Sequence, residues 1–441
     1  MEFKFVTDYR VEDYILNTRW EDFPEDVKKR AVNCWIDLVT AFTLGSRGKQ
    51  FEVGLRLAEA VYAGGEIPVI GSGKQFSFLG AVVAMSHAVN SFDIDDGHNL
   101  IKGHPGAAFS SGLLAAALSE GATYKEFLTA LVVCYEVTIR IGLAIQKHYD
   151  YYHNSGAYGA YGTAAAAGRI FGLDRQTLNT ALSIAEYHAP MSATMRSVQY
   201  PSMNKDGIPF GSMVGATAVL EALYGSTGRG NLLETPEFKY LADSLGQKYE
   251  ILNLYFKPYT SCRWAHQPIR ACIDLLNDNN VNYKEIEAVK VYTFVYAAAL
   301  SKIIPETTDE AQYNIAYPVA SAIVHRDFGY SQVSDESLGD ADVLEMMKRI
   351  EFNVDNELEA VFPAKRLARV EIRLKDGTAL KSKAVAAPGE AEENVGIEWI
   401  TEKFTRLTAP MFSREKQKRI LNALTGDMDI KMVDIVDRIN D

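Results

Sequence analysis

Residues 156–173, GAYGAYGTAAAAGRIFGL, constrain the fold most strongly, because they form a helix-length segment built largely from small side chains. Glycine and alanine allow neighbouring helices to approach closely. Apolar segments of helical length, separated by Gly, Pro or Asp, recur up to about residue 230, and residues 25–46 show the i, i+3, i+4, i+7 spacing of an amphipathic helix. These patterns predict a tightly packed, all-helical domain and disfavour a Rossmann-type fold.

The residue pattern changes from helical to strand-like near Ser261. Residues 286–296, IEAVKVYTFVY, are β-branched and aromatic, as in a strand. Residues 368–385 alternate apolar and charged side chains, turn at Lys-Asp-Gly and return, which is the pattern of a β-hairpin. We therefore predict a mainly α protein with a large all-helical domain and a smaller α+β domain. The predicted division is residues 1–263, completed by 401–441, for the helical domain and 264–400 for the α+β domain.

Composition limits the partners and the compartment. The chain has 441 residues and a formal net charge of −12 at pH 7, which disfavours nucleic-acid or anionic-membrane partners. Its first residues lack the basic start and apolar run of a signal peptide, and its most apolar segment carries Glu136 and Arg140, which argues against a membrane span. Four cysteines show no metal-binding spacing. We expect a cytoplasmic protein with no cofactor and no metal.

The stretch from Ser91 to Ala108, SFDIDDGHNLIKGHPGAA, places three acids and two histidines between two helical segments. Pro105 suits the first turn of the second helix, because its missing N–H is not needed there. Neighbouring titratable groups shift one another's pKa, as catalytic acid–base groups must be shifted. One interpretation is therefore an acid–base site. The alternative is a helix-capping cluster with solvated loop charges.

Two further basic residues stand in loops that precede small-residue helices. His153 comes just before the helix-length segment described above, and backbone N–H groups at such a helix start can bind a carboxylate. The alternative for His153 is an exposed loop histidine. Lys205, in SMNKDGIPFGS, is either a cationic group that binds a carboxylate or donates a proton, or a solvated lysine.

The segment KPYTSCRWAHQP lies at the predicted domain boundary and holds Lys257, Arg263 and His266. An arginine at a domain junction suits a carboxylate through its forked guanidinium, and the alternative is a salt bridge between the domains. Tyr317 opens an apolar helix, where a core tyrosine with a satisfied hydroxyl is the ordinary outcome. Together, these histidines, acids and cations suit proton abstraction beside a carboxylate.

These segments, in this order, resemble the MmgE/PrpD family, whose members include 2-methylcitrate dehydratase, citrate dehydratase, cis-aconitate decarboxylase and iminodisuccinate epimerase. The resemblance covers most of the chain. It implies a homodimer in which each chain has a large helical domain and a smaller α+β lid, with the active site in the cleft between them. The motifs that carry it are HAVNSFDIDD…GHPGAA, HNSGAYGAYGTAAAAGRIFGLD, MNKDG, KPYTSCRWAHQP and AQYNIAYPVA.

The resemblance also implies which side chains line the cleft. Two departures from the family pattern concern the substrate: Gly97 stands where several members carry threonine, and NVGI replaces Asn-Pro-Leu-Ser. The resemblance implies that the residues of this chain that match the family's cleft residues share one cavity. By motif position they are Asp93, His104, His153, Lys205, His266 and Tyr317.

The activity implied is that of a metal-independent lyase acting on a small di- or tricarboxylate. Lys205, Arg263 and His266 would neutralise the carboxylates. His104 or His153 would take a proton next to a carboxylate, while the other histidine or Tyr317 protonates the departing group. Asp93 would orient His104. Dehydration of 2-methylcitrate or citrate is the first choice. The alternatives are an epimerase or isomerase of a small dicarboxylate, a cis-aconitate-type decarboxylase, and a carboxylate-binding protein that has lost turnover.

Overall fold

The computed structural model describes residues 4–441 and is mainly α-helical, which confirms the predicted fold class. Most regular structure before residue 250 is helical, as the recurring apolar segments predict. The longer and shorter helices of this part are α1 (Arg10–Asn17), α2 (Glu25–Gly45), α3 (Lys49–Val61), α4 (Phe78–Val89), α5 (Pro105–Ser119), α6 (Tyr124–His148), α7 (Ser155–Ile170), α8 (Arg175–Tyr187), α9 (Thr194–Gln199), α10 (Ile208–Leu223) and α11 (Lys239–Asp243).

The small-residue segment forms α7, which packs against α5 and α10. Residues 155–168 of α7 are all buried. A Cβ at Gly159 would lie 2.8 Å from the carbonyl oxygen of Ala108, and a Cβ at Gly215 would lie 2.2 Å from that of Ala160. Glycine at these positions therefore permits the close approach of the three helices that the sequence predicts.

The helix α6 is the described helix whose length and hydropathy would allow a membrane span, and 94% of its most apolar window is buried inside the protein. Glu136 and Arg140 form an ion pair within it, and both side chains are fully buried. Glu136 also accepts hydrogen bonds from the backbone N–H groups of Glu250 and Ile251, at 3.0 and 2.9 Å. These charges therefore fasten the segment around residue 250 to the helical core.

Two short antiparallel ladders accompany the helices, a detail that the all-helical prediction missed. One joins β1 (Ile67–Pro68) to β2 (Gln75–Phe76). The other joins β3 (Gly97–His98) to β4 (Leu254–Tyr255), where Gly97 faces Tyr255. The second ladder therefore holds the acidic 91–108 segment against the segment around residue 255.

The α+β part is built around one mixed sheet, whose strands are β5 (Ile286–Thr293), β6 (Ile350–Val354), β7 (Leu367–Leu374), β8 (Ala379–Lys381) and β9 (Val385–Ala386). The strand order is β6–β5–β7–β8, and β9 also pairs with β7. The predicted hairpin is confirmed, since β7 and β8 pair Arg373 with Ala379 around the Lys-Asp-Gly turn. The strand predicted over residues 286–296 ends earlier, because a short helix begins at Val295.

The helices after residue 260 divide between the sheet and the helical part. Among them α12 (His266–Asp278) packs on β7, whereas α19 (Ile397–Thr408) packs on α2. Lys403 of α19 pairs with Asp37 of α2 and donates to the carbonyl oxygen of Ile94 at 2.7 Å. The division into domains itself stays a prediction. These helices are α12 (His266–Asp278), α13 (Val295–Ala298), α14 (Thr308–Gln312), α15 (Ala316–His325), α16 (Tyr330–Val333), α17 (Ala341–Met347), α18 (Asn356–Ala360), α19 (Ile397–Thr408), α20 (Arg414–Leu424) and α21 (Met432–Asn440).

Candidate active site

A cavity of about 790 Å³ lies between the helical part and the α+β part. This volume is within the range of small-molecule sites. Three residues predicted from the sequence, Asp93, His104 and Arg263, line it. The walls come from the loop between β3 and α5, from α9, from Asp206, from residues 248–264 and from 362–366.

His104 is oriented by acids on both sides of its ring. Its Nδ1 atom lies 2.8 Å from Oδ2 of Asp95, and Asn90 donates to the other Asp95 oxygen at 2.7 Å. Its Nε2 atom lies 3.4 Å from Oδ1 of Asp93 and 3.9 Å from Oδ2 of Asp206. Asp95 therefore holds the ring so that Nε2 is turned toward the acids that line the cavity.

The charge state of His104 follows from these contacts. Burial opposes a positive charge on the ring, but Asp95 and Asp93 outweigh burial, and the pKa of His104 lies above its ordinary value. Burial likewise opposes the charge of Asp95, yet His104 and Lys257 outweigh it and lower the pKa of Asp95 to about 2. His104 is thus cationic over a wider pH range than a free histidine, and a cationic His104 is a proton donor at Nε2.

Lys257 supplies a fixed positive charge beside this ring. Its Nζ atom lies 2.6 Å from Oδ1 of Asp93 and 3.4 Å from Nδ1 of His104, and the ammonium is buried. Burial opposes its charge, but Asp93 and Asp95 outweigh burial and raise the pKa of Lys257. A buried ammonium at the cavity wall stabilises negative charge that develops on a bound carboxylate.

Asp206 belongs to the loop before α10, and its side chain contacts the first residue of α7. Its Oδ2 atom accepts hydrogen bonds from the backbone N–H of Ser155 at 3.2 Å and from the Ser155 hydroxyl. The sequence predicts that this helix start can bind a carboxylate, and the carboxylate found there belongs to the chain itself. Burial raises the pKa of Asp206 in spite of the opposing charge of His104, which makes Asp206 a stronger base than an exposed carboxylate.

Left-handed backbone occurs at three non-glycine residues around this site: Asp93 with φ 52°, Lys102 with φ 56° and Lys205 with φ 34°. This conformation costs roughly 1–2 kcal/mol for a residue with a Cβ. Such strain persists where the surroundings fix the residue, and it concentrates at functional sites. The ion pair with Lys257 fixes Asp93, and buried contacts fix Lys205.

Lys205 lies behind the wall of the cavity and does not line it. Its Nζ atom donates to Oε1 of Gln312 at 2.6 Å and to the carbonyl oxygens of Asn90 and Ser91, and it lies 3.4 Å from Asp309. Burial lowers its pKa. Lys205 is therefore neither solvated nor placed in the shared cavity that we expected. It anchors the backbone that leads into Asp93, and its contact with substrate stays a prediction.

Two predicted histidines also lie away from the cavity wall. His153 pairs with Ala193 in a β-bridge, and its ring lies against that of Tyr151 with centroids 4.1 Å apart. It is buried rather than exposed, burial lowers its pKa, and its ring nitrogens have no hydrogen-bond partner within residues 4–441. His266 lies with Nε2 3.0 Å from the carbonyl oxygen of Ser261, and burial lowers its pKa strongly. Neither residue meets the expectation of a common cavity.

Tyr317 is the core tyrosine that the sequence offered as an alternative. Its hydroxyl lies 3.0 and 2.9 Å from the carbonyl oxygens of Gln332 and Ser337, and the side chain is buried away from the cavity. These contacts satisfy the hydroxyl within the protein. The expectation that Tyr317 shares the cavity is therefore corrected, and its proton-donor role stays a prediction.

Arg263 lies at the cavity wall and also forms a salt bridge, so its position suits both the carboxylate-binding and the salt-bridge interpretation. It lines the cavity, and its Nη2 atom lies 2.9 Å from Oε1 of Glu390. Its Nη1 atom donates to the carbonyl oxygen of Pro388 at 2.9 Å, and the guanidinium carbon lies 4.7 Å above the ring of Tyr255. Arg263 therefore fastens the 388–390 segment to the wall, as the salt-bridge alternative predicts, and its binding of a carboxylate stays a prediction.

Sequence reasoning gave no role to Asp206 or Lys257, although both stand in motifs that it singled out. Asp206 follows Lys205 in MNKDG, and Lys257 opens KPYTSCRWAHQP. The signal available was a charged residue next to glycine or proline in a loop before a helix, a place where functional residues concentrate. That signal does not show which of two neighbouring charges turns toward the cavity.

The acids around His104 are also of the residue types that bind metal ions. Asp93, Asp95 and His104 each offer one donor atom within 4.8 Å of the others. The ammonium of Lys257 lies among these donors, so a metal ion would meet a strong repulsion from it. The four cysteines are free thiols. The donor set therefore fits an acid–base site neutralised by lysine better than a metal site.

The amino-acid sequence matches known proteins over most of its length. The MmgE/PrpD N-terminal domain model matches residues 10–251, and the C-terminal domain model matches residues 259–426. The chain belongs to the MmgE/PrpD family. A cis-aconitate decarboxylase of Aspergillus terreus is 24% identical over an alignment that covers 93% of this chain and 91% of that protein. The cis-aconitate decarboxylase-like protein oryM of Aspergillus oryzae is 22% identical over 93% of this chain and 92% of that protein. These likenesses support a lyase of the MmgE/PrpD type.

Proposed function

We propose that this protein is a metal-independent lyase that transfers a proton at the carbon next to a carboxylate of a small di- or tricarboxylate. The preferred reaction is dehydration of 2-methylcitrate or citrate. The observation that carries the proposal is the position of His104, whose Nε2 atom is turned toward the cavity near Asp206 while Asp95 holds its Nδ1 atom. Dehydration needs an acid and a base together, and this pair supplies both.

The proposed steps return both Asp206 and His104 to their starting protonation states. Asp206 takes the proton from the carbon next to the carboxylate, and Lys257 stabilises the negative charge that builds on that carboxylate. The carbon–oxygen bond then breaks, and His104 gives its proton to the leaving hydroxyl, which departs as water. After the product leaves, a water molecule between Oδ2 of Asp206 and Nε2 of His104, which lie 3.9 Å apart, returns the proton to His104. Asp93 and Asp95 act through His104 and Lys257.

A second reaction is favoured by the relatives, which are named as cis-aconitate decarboxylases. The same groups suit it. The bond between carbon and the departing carboxylate breaks, carbon dioxide leaves, and His104 protonates the carbon that keeps the electron pair. An epimerase would instead return the abstracted proton on the opposite face.

One experiment separates these reactions. The protein is incubated in D₂O, with and without a chelator, with 2-methylcitrate, citrate, cis-aconitate and a dicarboxylate panel, and the products are followed by NMR. We expect loss of water from a hydroxy acid, with or without the chelator. Carbon dioxide release, or racemisation with deuterium entry, would replace dehydration by one of the alternatives. Binding without deuterium entry would favour a carboxylate-binding protein, and activity that is lost on chelation and restored by Fe²⁺ would contradict metal independence.

We also propose a homodimer that forms through the outer face of α10. Phe210, Thr217 and Tyr224 follow one another at intervals of seven residues, so they lie along one face of the helix and its C-terminal end. All three are exposed, and the two aromatic residues, Phe210 and Tyr224, are 61% and 86% exposed. Large exposed aromatic side chains on one face are typical of an interaction surface, and a two-fold dimer would pair this face with itself.

A further inference from the structure

The lysine and arginine side chains that line the cavity fall into two groups. Three of them already have an acid partner: Lys257 with Asp93 at 2.6 Å, Lys248 with Glu250 at 2.6 Å, and Arg263 with Glu390 at 2.9 Å. The other two are Lys102 and Arg366, which line the same cavity and form no ion pair with any residue from 4 to 441. We propose that Lys102 and Arg366 bind the carboxylates of the substrate that do not react.

Aromatic rings position both groups and leave their N–H donors for a ligand. The Nζ atom of Lys102 lies 3.2 Å from the ring centroid of Tyr152, and the guanidinium carbon of Arg366 lies 5.8 Å from that of Tyr255. A cation over an aromatic face is attracted by the ring without using a hydrogen-bond acceptor. The donors of Lys102 and Arg366 are therefore available to a ligand, and a carboxylate suits a guanidinium in particular.

The backbone around these groups is built to hold them. Lys102 has the left-handed conformation noted above, and its backbone N–H donates to the carbonyl oxygen of His98 at 3.0 Å, which closes the turn after β3. Gly97 makes room for the ring that supports Arg366, because a Cβ there would lie 2.3 Å from the hydroxyl oxygen of Tyr255. A residue with a Cβ at position 97 would therefore displace the ring of Tyr255.

The two cations come from different parts of the protein. Lys102 belongs to the loop between β3 and α5 in the helical part, and Arg366 immediately precedes β7 in the α+β part. Two acids that line the cavity form no ion pair with a lysine or arginine of the described chain. Asp206 is hydrogen-bonded to Ser155, and Glu392 is exposed. A ligand with two or more carboxylates would therefore contact both parts of the protein at once.

The test uses a ligand that cannot be dehydrated. Tricarballylate has three carboxylates but no hydroxyl group and no double bond, and its binding to the full-length protein is measured by calorimetry. We expect Arg366→Gln and Lys102→Gln each to weaken binding by about 10- to 100-fold, as loss of a hydrogen bond between charged groups does. Arg373→Gln is the matched control, because Arg373 is exposed on β7 and pairs with Glu287. It should bind within about 2-fold of the wild type.

Three results would overturn the inference: unchanged binding in both variants, no binding of tricarballylate by the wild type, or equally tight competition by inorganic phosphate. Thermal unfolding of each variant shows that the fold is kept, and Arg366→Lys should restore part of the affinity. The inference rests on the proposed function for its substrate class, but the two fail differently. Binding that depends on Arg366 in a protein that never turns over an acid would refute the function alone. Turnover with an unchanged KM in Arg366→Gln and Lys102→Gln would refute the inference alone.

Discussion

The Nδ1 atom of His104 lies 2.8 Å from Oδ2 of Asp95, and both residues are buried. This contact sets the charge of the histidine, because the carboxylate stabilises the imidazolium against the cost of burial. It also leaves Nε2 as the ring atom that is turned toward the cavity. The pair therefore links the fold of the 91–108 segment to the proton transfer that we propose.

Asp95→Asn should move the pH profile. The amide keeps the shape of the carboxylate but removes its charge, so the pKa of His104 falls. The alkaline limb of kcat/KM, where the proton donor is lost, should then shift to lower pH by about 1 unit or more. Asp340→Asn removes the acid from the surface pair between His325 and Asp340, 2.9 Å apart, and should leave the limb in place. An unmoved limb in Asp95→Asn would contradict the assignment.

Lys257→Met should destabilise the protein, because it leaves Asp93 buried without its partner. Breaking a buried ion pair on one side costs about 3–5 kcal/mol in the free energy of unfolding. Adding Asp93→Asn removes the uncompensated charge, so the double variant should recover part of that loss. Urea unfolding of the wild type, Lys257→Met, Asp93→Asn and the double variant measures the coupling, and strictly additive losses would show that the two groups do not stabilise each other.

Asp96 should make stability fall as the pH rises. It accepts a hydrogen bond from the backbone N–H of Gly106 at 3.0 Å, and burial, followed by the charge of Asp37, raises its pKa from 3.8 to about 7. The folded state thus binds this proton more tightly than the unfolded state, and its stabilising effect is lost between these two values. At about 1.4 kcal/mol per pKa unit, the loss is a few kcal/mol. Asp96→Asn should flatten the change in unfolding free energy between pH 5 and pH 8, and an equal slope in both proteins would rule this out.

The dimer surface can be tested without touching the cavity. Phe210→Glu combined with Tyr224→Glu places two charges on the outer face of α10, which should give monomers in analytical ultracentrifugation. Tyr240→Glu changes a tyrosine that is 55% exposed on α11 and should leave the dimer intact. A dimer that survives the double change would move the contact to another surface.

The fold was largely predictable because its signals are local. Apolar spacing predicts α2, the small residues predict the close contact of α5, α7 and α10, and Pro105 begins α5 as the sequence predicts. The β7–β8 hairpin follows from alternation and a turn. The ladder between β3 and β4 was not predictable, because it joins residues about 155 positions apart by two-residue strands that leave no periodic pattern.

The site was predictable only in part, because the direction of a side chain depends on tertiary packing. The motifs identified the segments that hold Asp93, His104 and Arg263, and all three line the cavity. Lys205 belongs to such a segment too, yet its ammonium turns toward Gln312 and backbone carbonyls while the adjacent Asp206 faces His104. No property of the sequence distinguishes these two neighbours.

The most direct test of the central claim compares the wild type with His104→Gln in D₂O on the acid that the wild type converts. Glutamine can still accept and donate hydrogen bonds but cannot carry the proton. We predict that turnover and deuterium entry fall by about 100-fold or more in the variant, while tricarballylate binding and cooperative unfolding are retained. Turnover near the wild-type rate in His104→Gln would contradict the proposed role of this histidine and the mechanism built on it.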